Sequence, residues 1–500
     1  MNINFDNRSV PVYKELAYQT KVIQEMCETV VPDTEEDIGN IVTVQSSVLL
    51  KGKDNTNRGV LITGEVNASL VYINETKDKI SYIKMKRAFS IEYELSELSP
   101  DMISQINLYL VSAEARMINP RKVSVCFEIA GELCCYTLQE MNVEYGVPAE
   151  LGNKLHTKYE NTVIKAVSAA CEKTFSMTEQ ISFPSGKPKP TSLIYADSNI
   201  VINDTQVIGT KVIVKGNSEL SVHYLSDEVN YPVKTEFIAP FSQIIDIGDK
   251  SVDAFCIIPA ITGIYYDLAD SIGGEKILDL ELRAVLQLAC RNTYDVAYIS
   301  DAYSNIMPSV NTREKDTIKH VFDQRKIKTI SDERVNISED CVDVLNVYAC
   351  LTHLKQQQRG ITATVNLDVL YRNSVGEMHS LRRNVKLECD CHDQCYRINY
   401  ARLVDLYIRP DGQNLECHIA MELECLLCEN VEIDRLCAVS LDEEQAIELD
   451  KFPTVTLVRC SDETLWDLAK TYHSSVERII ETNDTDSELK GRMIMVPKCI

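Results

Sequence analysis

An internal repeat constrains this 500-residue sequence more than any other feature. Three segments place a small residue eight positions before a tyrosine: GEVNASLVY from Gly64, GNSELSVHY from Gly216 and ATVNLDVLY from Ala363. Because eight is an even number, both ends lie on one face of a β-strand, and the residues between them alternate between apolar and polar. The repeat predicts one half-buried strand in each of three related units.

Further landmarks surround each copy. A large apolar residue follows the tyrosine after a short connection: Phe89, Phe241 and, in the more divergent third copy, Val385. A turn signal near residues 121, 275 and 413 then leads into another alternating strand. Prolines precede the first two copies, at Pro32 and at a cluster of three (Pro184, Pro188 and Pro190). Proline cannot donate to a strand ladder, so these residues predict corners between strands.

Length and pattern together predict the domain organisation. A chain of 500 residues exceeds one hydrophobic core, since domains usually hold about 100–200 residues. We predict a mainly β fold with three tandem β-sandwich-like modules at residues 1–155, 156–312 and 313–448, and a small α+β module at residues 452–498. Only this last module and residues 154–174, which are rich in Ala, Glu and Lys, indicate helix.

The C-terminal segment has a βααβ pattern. It predicts a strand over residues 455–458 and a helix opening near Asp462, with apolar residues at core spacing. A second helix should begin at the capping-box pattern Ser474-x-x-Glu477, and a last strand over residues 493–496 should end at Pro497.

The charge balance excludes several partners. The 51 Lys and Arg residues against 75 Asp and Glu residues leave a net charge of −24, which repels nucleic acid and anionic membranes. The first residues lack the apolar core of a secretory signal, and the longest apolar stretch, near Phe255 to Tyr266, is about half of the ~20 residues that a membrane helix needs. We expect a soluble, cytoplasmic protein that binds proteins or uncharged glycans.

The sequence gives little support for a metal site or for catalysis. Most of the 18 cysteines occupy strand-like positions, so we expect reduced thiols in the core. A zinc site remains a minor alternative at two clusters in the third repeat: Cys389, Cys391 and Cys395, and Cys425 and Cys428. No nucleophile, P-loop or metalloprotease motif is present. We therefore expect no enzyme activity, no cofactor and no metal.

The ordered set of landmarks resembles a known family. The Gly-x7-Tyr strand, the following Phe and the N-x-R-K-V-S-V motif at Asn119 and Arg121 to Val125 resemble the SPOCS domain of endospore-forming bacteria, in three copies over residues 15–440. The C-terminal segment resembles a LysM domain. Trp466 stands where that family's GDTLW motif has its aromatic residue, and Asn483 and Lys490-Gly491 match its loop before the last strand.

This layout is similar to that of clostridial spore-coat morphogenetic proteins that bind stage IV sporulation protein A. In that family the partner is an ATP-hydrolysing protein that polymerises around the forespore in the mother-cell cytoplasm. The resemblance implies a non-enzymatic scaffold for coat assembly at the forespore surface, which docks onto that coat ATPase through its LysM domain. Other coat proteins or further copies of the chain are additional expected partners.

LysM domains more commonly bind N-acetylglucosamine polymers, so a peptidoglycan-binding protein of the wall or cortex is the alternative. The family's Gly-Asp pair is replaced here by Asp462-Glu463, and a side chain in place of glycine crowds the approach of a sugar. This departure favours protein docking. Trp466 is the expected hot spot, unless it only packs against the second helix. The predicted partner-binding residues are Trp466, Leu465, Asp462, Glu463, Asn483, Lys490 and Arg492.

Overall fold

The computed structural model describes residues 2–76, 79–146, 155–271, 273–337, 340–357, 360–390, 396–442, 444–484 and 489–499. Strands dominate these ranges, and the predicted mainly β fold of sandwich-like modules is confirmed. No helix within the described ranges is long and apolar enough to cross a membrane.

The described residues form twenty-one strands and two α-helices. A short strand β1 (Asn2–Asn4) precedes unit 1, which contains β2 (Asp6–Val30), β3 (Ile38–Asn55), β4 (Gly59–Asn74), β5 (Ile80–Glu94), β6 (Ile103–Asn119) and β7 (Lys122–Gly146). Unit 2 contains β8 (His156–Ser182), β9 (Ser192–Ile208), β10 (Lys211–Ser226), β11 (Val229–Asp246), β12 (Ala254–Asp270) and β13 (Lys276–Tyr303). Unit 3 contains β14 (Ser309–Asn336), β15 (Asp343–Gln357), β16 (Gly360–Arg372), β17 (Met378–Asp390), β18 (Tyr396–Asp411) and β19 (Asn414–Leu441).

The three units share one antiparallel topology. In unit 1 the long strands β2 and β6 flank β7 in one sheet, while β3, β4 and β5 form a three-stranded meander. The same order recurs in units 2 and 3. The two sheets of unit 1 enclose a shared core, in which Val66 and Leu70 from the meander join Val125 and Phe127 from the long sheet. Each unit is thus a β-sandwich, with apolar residues of both sheets facing inward.

The units close into a ring. The first long strands β2, β8 and β14 contact one another, and β1 pairs with β19, so the N-terminal strand joins unit 3. A buried cluster at the centre draws residues from all three units, including Cys134, Ala289 and Leu426. Arg397 of unit 3 donates to Glu15 of unit 1 at 3.3 Å beside this cluster. The inter-unit contacts are therefore those of a protein interior rather than of a flexible string of domains.

The ring explains why the repeated strand departs from the predicted half-buried pattern. In β4, β10 and β16 alternate residues are buried at first, but the last residues before the tyrosine are buried on both faces. There the outer face meets the neighbouring units, where Val71, Tyr195 and Leu370 share one cluster. Periodicity shows the core of a single unit, but it cannot show burial against another unit.

The repeat tyrosine and the arginine of the N-x-R-K-V-S-V motif both hold the corner after the first strand. The hydroxyl of Tyr72 donates to the Glu36 carbonyl at 3.2 Å, and that of Tyr224 donates to the Pro188 carbonyl at 2.8 Å. The Arg121 guanidinium donates to four oxygens of the corner, namely Asp37 Oδ1 and the carbonyls of Val31, Pro32 and Glu35. The prolines lie between strands, as predicted.

Two details of the sequence prediction for the three units are wrong. Residues 156–174 belong to β8 and pair with β13, so the helix expected over residues 154–174 is absent from the described part of that stretch. Helix-forming composition is overridden there because Val167 and Ala170 pack at the centre of the ring, while Ala166 and Ala169 are buried in adjoining clusters. In unit 3, Leu387 rather than Val385 lies opposite Ala363 and corresponds to Phe89 and Phe241.

The C-terminal domain has the predicted βααβ order. Strand β20 (Val455–Arg459) pairs with β21 (Met493–Pro497), and helices α1 (Leu465–Thr471) and α2 (Val476–Asn483) lie between them in sequence. Helix α1 begins later than predicted, because Thr464 rather than Asp462 caps it. Helix α2 is capped by Ser475, one residue beyond the predicted Ser474.

Candidate functional site

A groove on the C-terminal domain brings together most of the predicted partner-binding residues. The loop from Ser461 to Trp466 forms one wall, while Val476, Leu489 and Lys490 complete the lining on the same domain. Lys158 of β8 also lines the groove, so unit 2 contributes to it. Five of the seven predicted residues line it: Asp462, Glu463, Leu465, Trp466 and Lys490.

Hydrogen bonds within the wall loop fix its conformation. The Glu463 carboxylate accepts from the Ser461 backbone N–H at 2.7 Å and from the Ser461 hydroxyl at 3.0 Å. These bonds lower the pKa of Glu463. Thr464 and Asp467 form a reciprocal capping box at the start of α1. The loop therefore presents a preorganised surface, and the carboxylate of Glu463 is already engaged by its own backbone.

An ion pair spans the open side of the groove. Lys490 Nζ lies 2.8 Å from Asp462 Oδ1, and both side chains are about four-fifths exposed, at 80% and 83%. An exposed pair of this kind contributes at most about 1 kcal/mol. A charged partner can therefore separate Lys490 from Asp462 at little cost.

Two predicted residues lie outside the groove lining. The side-chain amide of Asn483 donates to the carbonyls of Ile479 and Met495, and its oxygen accepts from the Met495 N–H. Asn483 thus ties α2 to β21. The backbone carbonyl of Arg492 accepts from the Cys460 N–H, and the Arg492 N–H donates to the Leu489 carbonyl. These two hydrogen bonds fix the loop before β21.

Trp466 faces unit 2. Its ring meets that of Tyr303 edge to face, with centroids 4.8 Å apart, and its Nε1–H donates to Asp301 Oδ2 at 2.8 Å. Lys470 donates to the same oxygen at 2.7 Å. The Tyr303 hydroxyl donates to the Ser474 carbonyl at 2.9 Å, so Tyr303 completes the core of the C-terminal domain. The aromatic residue expected to contact a partner is therefore also an intramolecular anchor.

Asp301 is the electrostatic centre of this contact. Partial burial acts to raise the pKa of Asp301, but the hydrogen bonds from Lys470 and Trp466 and the charge of Lys470 outweigh it, so the net shift is downward. Asp301 therefore stays ionised at neutral pH. Sequence reasoning missed both Asp301 and Tyr303, because two residues at the end of a long strand carry no motif that would pair them with a tryptophan far along the chain.

The described residues offer no evident place for a metal ion. No group of three or more His, Cys, Asp or Glu side chains within them is arranged to hold one. Cys425 and Cys428 point to different clusters, the core of unit 3 and the centre of the ring, as expected for strand residues three apart. Cys391 and Cys395 lie outside the described residues. Of the sixteen cysteines in the described part of the chain, ten are buried.

Comparison with known proteins identifies one region. The family model described as "SipL, SPOCS domain" matches residues 191–268. This match supports a relationship between the chain and a SipL-like sporulation family. It covers β9 to β11 and most of β12 of unit 2, including the repeat tyrosine Tyr224 and Phe241. No curated protein and no solved structure matches the chain.

Proposed function

We propose that this protein is a non-enzymatic scaffold for spore-coat assembly. The SPOCS match at residues 191–268 carries the proposal, because it associates unit 2 with sporulation. Units 1 and 3 repeat the strand order of unit 2, and the three share one buried centre. Three related units packed on one buried centre suit a protein that holds several partners at once.

The proposal extends the domain assignment beyond the match. Units 1 and 3 are two further SPOCS domains, so the three modules occupy residues 1–155, 156–312 and 313–448. Their support is the shared topology and the repeated Gly or Ala opposite a large apolar residue. The βααβ domain at residues 452–498 is a LysM domain, supported by its element order and by Trp466 at the start of α1.

The C-terminal groove docks the coat basement protein, an ATPase similar to stage IV sporulation protein A. The groove combines apolar surface at Leu465 and Leu489 with the separable pair Asp462 and Lys490 at its mouth. Such a combination fits a peptide segment that carries apolar residues and opposite charges. The protein then acts in the mother-cell cytoplasm at the forespore surface, where that ATPase polymerises.

A peptidoglycan-binding role is the second candidate. The groove lies between the strand–helix loop and the loop before the last strand, where LysM domains hold N-acetylglucosamine polymers. The wall loop and Lys490 favour the protein partner, since two acidic side chains and an ion pair occupy the surface that a neutral sugar would have to approach.

Binding of the full-length chain to the coat ATPase and to peptidoglycan separates the two functions. The variant Lys490→Glu leaves like charges at the groove mouth, and we expect it to weaken binding to the ATPase about tenfold, or about 1.4 kcal/mol. Lys451→Glu is the matched control, because Lys451 is exposed, pairs with Glu448 and lies outside the groove lining. Retention by peptidoglycan alone would contradict the scaffold proposal.

Localisation gives an independent test. A fluorescent fusion of the full chain should form a ring around the forespore on the mother-cell side, and that ring should be lost in cells that lack the coat ATPase. A signal distributed over the cell wall would favour the glycan-binding role instead.

A further inference from the structure

The second half of β2 is an open sheet edge. On one side β2 pairs with β7 along its length, from Asp6 to Val30. On the other side, within the described residues, the only strand partner of β2 is β8, at the single pair Tyr13 and Val167. Beyond this point the backbone N–H and C=O groups of that edge have no strand partner. A long open edge is a template for pairing with another chain.

The outward face of this edge carries an apolar stripe, which we define as Val22, Met26 and Val30. Their side chains are 53%, 62% and 60% exposed. Gln24 and Glu28 lie between them on the same face, because alternate strand residues share a face. Natural edges usually carry charged residues or proline, which suppress pairing. On this face Glu28 is the one such residue between Val22 and Val30.

The fold of a unit does not require this stripe. The strand ladders identify the positions in units 2 and 3 that are equivalent to Val30. In the last strand of each unit, the residue just before the first buried residue pairs with Val30 in unit 1, with Ser182 in unit 2 and with Asn336 in unit 3. Counting back in steps of four from these positions gives Thr178 and Thr174 in unit 2 and Asp332 and Lys328 in unit 3. All of these are polar. The stripe itself is thus confined to unit 1. Unit 3 carries one apolar residue on the corresponding face, Ile330, which is 55% exposed at the position equivalent to Gln24. Three apolar residues at this spacing point to a contact that only unit 1 makes.

The neighbouring edge strand of unit 1, β5, is protected. Lys21 and Gln19 of β2 donate to the carbonyls of Glu92 and Glu94 at 2.6 Å and 3.0 Å. These side chains cover backbone acceptors on the outer edge of β5 and leave the edge of β2 as the place where the sandwich can be extended.

We propose that β2 pairs with the same strand of a second copy of this chain, antiparallel and centred on Met26. The stripe is symmetric about Met26, with Val22 and Val30 each four residues away. This register places Met26 opposite Met26, and Val22 opposite Val30, across the two-fold axis. Gln24 then lies opposite Glu28, so no like charges face each other directly. A strand of an unrelated protein would require no such symmetry.

The acidic character of the chain does not prevent this contact. Two copies with a net charge of −24 each repel at long range, but the outward face of β2 from Val22 to Val30 carries one charge, that of Glu28. Charges further away are screened over about 8 Å at physiological ionic strength. Apolar cross-strand pairs and main-chain hydrogen bonds hold the dimer, so we expect it to become stronger as salt concentration rises.

Sedimentation of the full-length protein tests the proposal. We expect a dimer, which the double variant Val22→Lys/Met26→Lys converts to a monomer. The two lysines at position 26 then face each other across the axis, and the lysine at position 22 faces Val30. The matched control is Thr174→Lys/Thr178→Lys, at the equivalent positions of unit 2, and it should remain a dimer. Far-UV circular dichroism confirms that each variant is folded. A monomeric wild type, or equal loss of dimer in both double variants, would overturn the proposal.

Cross-linking tests the register and remains informative if the lysine variants fail to fold. In an antiparallel pair centred on residue 26, the two copies of that position lie about 4.5–5.5 Å apart between Cα atoms, which is within the range of a disulfide. We expect Met26→Cys to give an oxidised dimer in which mass spectrometry finds the two introduced thiols joined to each other. Thr178→Cys should not cross-link. Absence of the bond between the introduced thiols would refute this register. If the protein is a monomer and β2 pairs with a strand of an unrelated protein, that protein and not a second copy is the partner.

Discussion

The ring of Phe89 lies against the Cα of Gly64 across the β4–β5 ladder, so closely that a Cβ on Gly64 would come 2.2 Å from Phe89 Cζ. Unit 2 repeats this relationship, with 2.6 Å between Phe241 Cζ and a Cβ on Gly216. In unit 3 the glycine is replaced by Ala363, and Leu387 lies opposite. The sizes of the two facing side chains are therefore coupled: where alanine replaces glycine, a residue smaller than phenylalanine lies opposite and accommodates the added methyl group.

We predict that Gly64→Ala destabilises unit 1 by about 1–3 kcal/mol, because overpacking forces the Phe89 ring or the backbone to move. Combining it with Phe89→Leu should recover part of this loss, as the Ala and Leu pair of unit 3 indicates. Hydrogen exchange of the β4 amides follows the stability of unit 1 separately from the other units. Additive effects of the two substitutions would contradict the coupling.

The repeat was predictable because a strand period of two is visible in a single sequence. The alternation in β4, β10 and β16 follows from sandwich packing within each unit, and the prolines at the corners follow from their missing N–H. In the third repeat the predicted residue, Val385, lies 14 residues after Tyr371, whereas Phe89 and Phe241 each lie 17 residues after their tyrosine. The ladder shows Leu387 instead, since pairing register depends on loop length.

The arrangement of the units could not be predicted. Residues 166–170 satisfy helix propensity, but they form a strand that is buried on both faces. Ala169 packs in a cluster of unit 2, whereas Ala166, Val167 and Ala170 pack in clusters shared with the other units. The groove loop was predictable from local motifs, whereas the contact between Trp466 and Asp301 joins residues 165 positions apart. Contacts of such separation leave no periodic signal in the sequence.

The hydrogen bonds from Arg121 to the corner after β2 give a second prediction. Arg121→Lys keeps the positive charge but loses the planar group that reaches three backbone carbonyls and Asp37. We expect a loss of about 1–3 kcal/mol, with faster hydrogen exchange at the backbone amides of Val31 and Ile38, which donate to carbonyls of the β6–β7 turn. The control is Lys122→Arg, which exchanges lysine and arginine in the opposite direction at the neighbouring residue. Lys122 forms an ion pair with Glu28. Equal exchange rates in both variants would show that charge alone holds the corner.

The attachment of the C-terminal domain gives a third prediction. Trp466 is the only tryptophan, so its fluorescence reports this contact directly. Asp301→Ala removes the acceptor of both Trp466 and Lys470, and we expect a red-shifted emission as water reaches the indole ring. Ser461→Ala is a control, because it alters the groove loop without touching Asp301. An unchanged spectrum in the Asp301 variant would show that the ring of Tyr303 suffices.

The pH dependence of this contact follows from the lowered pKa of Asp301. A carboxyl whose pKa is lower in the folded state contributes stability above its ordinary value of about 3.9 and loses that contribution as the pH falls through the lowered value. The emission of Trp466 should therefore stay constant between pH 7 and pH 5. It should shift only in more acidic solution. A shift near pH 6 would assign the contact to another titrating group.

His223 supplies a prediction at milder pH. It is 5% exposed, and its ring lies 5.0 Å from that of Tyr348 in unit 3. Burial, with the charge of Lys234 in addition, lowers the pKa of His223 to about 3. In the unfolded chain the imidazole titrates near its ordinary pKa of about 6.5, so between these values the unfolded state binds the extra proton. Below pH 6.5 this residue therefore costs about 1.4 kcal/mol of stability per pH unit.

Asp197 has the opposite effect, because burial raises its pKa to about 6 and the folded state then takes up the proton first. The two contributions partly cancel in the wild type, so the test compares it with His223→Gln. Between pH 6 and pH 4 the variant should gain about 1.4 kcal/mol per pH unit relative to the wild type, since glutamine does not titrate. Hydrogen exchange of the β10 amides measures this difference. Parallel stability curves for the two proteins would mean that His223 is protonated in the folded ring.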